Sequence, residues 1–248
     1  LGYSATYHYT IMKNNPKDPY FKHFVEDIEQ RYHIRVLLVD DYKEIQIILN
    51  ELNSRIRSKR VFVSGAFSSF TSEIEEYSHN LSRNLASSLL ENDYRIVNGI
   101  GRRFGTHLIG YANEYLAKQG VKDIEKHLIV KPFVGNTQGA AEEKYRSRKK
   151  VIGQCGTAIF VFGEMSENSS ATKSGVMEEF EIACEQHKTI IPIAYPGMVS
   201  EIIWEKVKGE LTRYPYLEGK IDLLTSVQSP EFLSQIIIHI LDSVQESM

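Results

Sequence analysis

From residue 61 onward, short runs of β-branched and aromatic residues end in small residues or glycine, and each is followed by a longer stretch with apolar residues at helical spacing. This rhythm constrains the fold more than any other feature, because repeated β-α units dictate a parallel sheet. The strand candidates are VFVSG (61–65), YRIVNG (94–99), HLIVKPF (127–133), TAIFVFG (157–163) and TIIPIAYP (189–196). They are nearly continuous apolar runs, as expected of strands covered on both faces. Helices are expected over residues 72–91, 105–119, 140–154, 175–187, 199–211 and 230–244. Sequential right-handed crossovers then give an α/β, Rossmann-like, doubly wound, mainly parallel sheet with helices on both faces. Any ligand belongs at the carboxyl ends of its strands.

Residues 1–57 do not follow this rhythm. DPYFKHFVEDIEQRYHI and YKEIQIILNELNSRI read as helices, and RVLLVDD (35–41) as one buried strand. A boundary is placed in the charged stretch SRIRSKR (54–60), giving a partial α/β segment (1–57) and a complete domain (58–248). The chain begins abruptly at Leu1, which reads as a fragment of a longer protein.

Composition excludes several classes of function. The 248 residues carry a net charge of -3, so no global field holds a polyanion, and a small phosphorylated ligand fits better than nucleic acid. No apolar run approaches the ~20 residues of a membrane span. Cys155 and Cys184 have no metal-like spacing and read as two free, buried thiols of a reducing cytoplasm. None of the eight histidines shows a metal-binding spacing, and no metal is assigned to them.

The strand ends carry the candidate site. Ser64 and Gly65 close the first strand, where small residues allow close approach to the backbone. The second ends in NGIGRRFG, whose Gly99, Gly101 and Gly105 suit a tight turn before a helix start, with Arg102 and Arg103 as bidentate anion donors. The spacing is Gly-x-Gly-x-x-x-Gly, not the dinucleotide fingerprint, and a plain turn with two solvated arginines explains it equally well. Gly163 ends the fourth strand. A polar loop with Lys173 then leads to Gly175 and a helix carrying Glu178 and Glu179 in its first turn. Those carboxylates either complement the helix dipole or meet ribose hydroxyls and an anomeric carbon. Between these strands lie Lys144, Arg146, Arg148, Lys149 and Lys150, which cannot all face one pocket from one helix, so one or two inward arginines are expected from Arg146 and Arg148. Tyr195 and Trp204 suit base stacking, core packing or an interface.

Taken together, VFVSGAF, the turn at residues 99–103, YRSRKKVI and SGVMEEFEIA resemble the SLOG family, the Rossmann-like superfamily of DprA and LOG proteins, over about residues 59–248. LOG phosphoribohydrolases carry an Arg-Lys pair, matched by Arg148 and Lys149. Their Pro-Gly-Gly-x-Gly-Thr-x-x-Glu motif is met by Ser174, Gly175, Val176, Met177 and Glu178, without the Gly-Gly turn or the threonine. The departure argues against nucleoside monophosphate hydrolysis, the enzymatic alternative; DNA binding of the DprA kind is a second alternative, disfavoured by the acidic balance. LGYS and IRVLLVDD are similar to the closing part of a sirtuin-like domain. A sirtuin-like end followed by SLOG resembles the NAD-hydrolysing effectors of Thoeris antiphage defence. That resemblance implies a sensor for a cyclic ADP-ribose isomer made by a TIR-domain partner, acting within a homotetramer. It also implies NAD as substrate of the sirtuin-like half, with no cofactor and no catalytic residue in this chain.

Overall fold

The computed structural model describes residues 8–68, 71–133, 140–165 and 174–246. Two compact units emerge, Leu1–Arg55 and Ile56–Met248. In the first, strand β1 (His8–Lys13) pairs in parallel with β2 (Ile34–Val39), His8 opposite Ile34 and Lys13 opposite Val39. Helix α1 (Phe21–Tyr32) provides the crossover, and α2 (Lys43–Ser58) follows β2. Two sequence expectations fail here. HYTIMK forms a strand, consistent with its β-favouring tyrosine, threonine and isoleucine. The β2 strand is not buried as a whole: only Val39 is, and Leu38 is 45% exposed.

In the second unit, β3 (Arg60–Ser64), β4 (Arg95–Asn98), β5 (Leu128–Val130), β6 (Thr157–Val161) and β7 (Thr189–Ile193) form one parallel sheet in the order β5-β4-β3-β6-β7. The helices between them are α3 (Ser72–Glu91), α4 (Phe104–Lys118), α5 (Ala140–Ile152) and α6 (Gly175–Glu185), followed by α7 (Val199–Gly209) and α8 (Pro230–Glu246). This is the doubly wound α/β arrangement that the alternating pattern dictates. Pro192 lies within β7, which is tolerated because β7 is an edge strand whose free side needs no ladder donor.

The middles of the central strands are apolar: Val61, Phe62 and Val63 of β3 and Ala158, Ile159 and Phe160 of β6 are all fully buried. Helix α3 begins where the Thr71 hydroxyl accepts from the Ile74 N–H at 3.3 Å. It buries Leu81, Leu85 and Leu89 on one stripe. On its apolar faces it packs against α4 and α8, and α8 contributes Leu233, Ile237 and Ile240 to the core. Strand order reverses between β3 and β6, so a crevice is expected above the carboxyl end of β3.

Candidate functional site

A cavity of about 330 Å³ occupies that position. One wall is Ser64 to Phe67 beyond β3; the next is Asn98 to Arg102 beyond β4; the start of α6 at Ser174 and Gly175 forms a third. Among the described residues, Arg102, Lys144 and Arg148 supply cations and Glu164 and Glu179 carboxylates. Such a mixture suits phosphate oxygens beside hydroxyl donors.

The turn after β4 is built unusually. Ile100 and Arg103, not the glycines, take left-handed backbone angles, with φ of 58° and 56°. For β-branched Ile100 this is costly, and the turn is braced by Asn98, whose Nδ2 donates to the Val63 carbonyl at 2.8 Å while its Oδ1 accepts from the Ile100 N–H at 2.7 Å. The glycines answer a different demand, close packing of protein on protein. A Cβ on Gly101 would meet the Gly65 carbonyl oxygen at 2.1 Å, and one on Gly99 would meet the Phe133 ring at 2.1 Å.

Across the cavity stands an ionic cluster. Arg148 of α5 is buried; its Nε donates to Glu179 Oε1 at 3.1 Å, and its Nη1 donates to Glu178. The Ser64 hydroxyl donates to the other Glu179 oxygen at 2.5 Å. Burial pushes the Glu179 carboxyl above the usual carboxylate range, against the opposing pull of Arg148 and Ser64. The guanidinium also lies 5.3 Å from the centre of the Phe133 ring, and it fits over the start of α6 because Gly175 has no side chain: a Cβ there would stand 2.8 Å from Arg148 Nη2.

The sequence profile of the Sir2- and TIR-associating SLOG family (STALD) matches residues 44–244. The chain belongs to this family. This STALD chain is 30% identical over 215 residues to the NAD(+) hydrolase ThsA of Bacillus cereus (strain MSX-D12), covering 85% of this chain and 44% of that protein. It is 28% identical over 228 residues to the NAD(+) hydrolase ThsA of Enterococcus faecium, covering 87% and 46%. It thus spans less than half the length of these two relatives.

Of the residues singled out from sequence, the STALD cavity gathers Ser64, Gly65, Gly99, Gly101, Arg102, Arg148 and Gly175 into its lining. Others stand elsewhere. Arg146 is exposed and donates to Glu142 at 3.1 Å, so the inward arginine is Arg148. Arg103 turns to Glu75 at 3.3 Å, and Glu178 reaches the site only through Arg148. Gly163, with φ of 91°, accepts from the Val199 N–H at the base of α7 and does not line the cavity. Lys173 lies outside the described residues.

Sequence reasoning passed over Lys144, Phe133, Asn98 and Glu164, and the motif match selected Glu178 where the cavity is lined by Glu179. The signal for Lys144 was present: it precedes Arg148 by one helical turn and therefore shares its face. Tyr195 packs on Phe162 and Tyr77, at 5.1 and 5.5 Å between ring centres, and Trp204 donates to the Ile221 carbonyl; both belong to the packing of the domain. Cys155 is buried and Cys184 half-buried, and both are free. Among the described residues, no helix is long and apolar enough to cross a membrane.

Proposed function

We propose that this chain is the ligand-sensing part of a longer, cytoplasmic NAD-hydrolysing effector of the Thoeris antiphage type. In this reading, residues 58–248 bind a cyclic ADP-ribose isomer made by a TIR-domain protein, and residues 1–57 are the closing part of the sirtuin-like half that hydrolyses NAD. A homotetramer transmits the signal. The family match and the names of the two relatives support the parent activity.

The observation that carries the reading is the cation-lined cavity at the strand reversal, in which the best-placed carboxylate is already engaged. Arg102, Lys144 and the amides of the turn and of the α6 start suit a pyrophosphate; Glu164 suits a ribose hydroxyl. Both Glu179 oxygens accept hydrogen bonds from Arg148 and Ser64, which favours holding a nucleotide over attacking its glycosidic bond. Sensing further requires that ligand favour one state of the protein, since equal affinity for two states shifts neither.

Calorimetry with cyclic ADP-ribose isomers tests this. Saturable binding is expected, weakened by Arg102→Ala and by Lys144→Ala and by rising salt. No heat at about millimolar ligand, where even an interaction of about −4 kcal/mol registers, removes the proposal. Release of free base from AMP would replace it with a phosphoribohydrolase.

A further inference from the structure

Away from the cavity, one group of side chains brings together donor atoms for which the proposed function has no use. Glu75 and His79 lie one turn apart on α3, and His107 sits in the first turn of α4, which packs against α3. Glu75 Oε1 is 3.8 Å from His79 Nε2 and 3.5 Å from His107 Nε2. One donor atom from each of the three residues lies within 4.8 Å of the other two. The imidazoles are stacked, 3.8 Å between centres.

The outer nitrogens are already committed. His107 Nδ1 is 3.0 Å from the Ser78 hydroxyl, and His79 Nδ1 is 3.1 Å from the Tyr111 hydroxyl, itself held by Arg83. A hydrogen on each Nδ1, donated to these hydroxyls, leaves both Nε2 lone pairs facing the carboxylate. Outer partners that fix the tautomer in this way are the usual companions of metal-bound histidines. A second observation points the same way: Glu75 Oε2 is buried without a hydrogen-bond partner. A carboxylate oxygen so placed is costly unless a hydrogen-bond donor or a cation meets it, and a metal ion is one such partner.

We propose that Glu75, His79 and His107 bind one divalent transition-metal ion of the zinc class, leaving a fourth coordination position to water. Two imidazoles and one carboxylate are a donor set that zinc accepts. Metal-donor distances of about 2.0–2.2 Å in a tetrahedral site put donors about 3.3–3.6 Å apart, so the two Glu75–histidine separations of 3.5 and 3.8 Å need to contract by only a few tenths of an ångström, and the stacked rings must rotate to aim both Nε2 atoms at one ion. The ion would cross-link α3 to α4. It would also share Glu75 with Arg103, whose chain neighbour Arg102 lines the cavity.

The test is titration of the untagged, metal-stripped chain with Zn²⁺ against a chromogenic chelator, with Co²⁺ as an optical probe. One equivalent should bind, and Co²⁺ should develop visible absorption. His79→Gln and His107→Gln should each weaken binding by at least about 10-fold, whereas His23→Gln, on an exposed histidine of α1, should change nothing. Should a histidine variant fail to fold, Glu75→Gln keeps the side-chain shape and is read in its place. Failure to retain Zn²⁺, or retention undiminished in the folded His79, His107 or Glu75 variants, overturns the proposal.

Discussion

Arg148 is the residue on which the site's electrostatics turn, because its single charge answers two glutamates at once. Removing one partner of a buried ion pair costs about 3–5 kcal/mol, and Arg148→Ala should lower unfolding stability on that scale. The loss should depend on pH. Glu179 already holds its proton to higher pH in the folded state than in the unfolded chain, so stability is full below the ordinary carboxylate value and declines as pH rises through the shifted one. Without Arg148 that window widens. Urea titrations of Arg148→Ala should therefore show a larger penalty at about pH 8 than at about pH 5, and an equal penalty would mean that Glu179 is not under this control. Ile100 presents the opposite case, a β-branched residue held at positive φ and 45% exposed. Ile100→Gly should raise stability by about 1 kcal/mol, read as a higher thermal midpoint, because the left-handed conformation costs an L-residue about 1–2 kcal/mol and glycine almost nothing.

Among elements, α3 matters twice: its apolar stripe seals one side of the core, and its first turn carries Glu75 towards α4. Leu85 is fully buried at the centre of that stripe. Leu85→Ala should cost about 3–5 kcal/mol, measured by chemical denaturation, through lost burial and the cavity left behind. The segment after α5 makes a different prediction. Cys155 follows that helix, and burial pushes its thiol up to about 12. Alkylation at about pH 8 should be negligible in the folded protein and rapid after denaturation, since only thiolate reacts; rapid labelling of Cys155 in the native state would contradict the packing at the end of α5.

For the whole molecule, stability should be uneven. The larger unit holds the contiguous core, whereas neither α1 nor α2 contains a fully buried residue, and Tyr20, Phe24, Tyr42 and Ile47 are exposed. Hydrogen exchange should therefore proceed much faster across residues 8–55 than in β3, β6 and α3, where exchange requires global unfolding; equal protection would show that the smaller unit draws stability from contacts of its own. The sequence by itself determined the sheet of the larger unit, because continuous apolar strands alternating with amphipathic helices have one economical solution, a covered parallel sheet. It also indicated the loops at the carboxyl ends of β3 and β4, where small residues and arginines cluster. Only the tertiary structure decided which charges meet: Arg148 and not Arg146, Glu179 beside Ser64, and Arg103 turned from the cavity to Glu75. Likewise, β1 needed its partner β2 to become legible, and His107 needed α4 laid against α3 before it could join Glu75 and His79. Periodicity is a property of neighbouring residues and survives in one dimension, whereas the meeting of two side chains depends on how elements far apart in the chain are rotated and spaced.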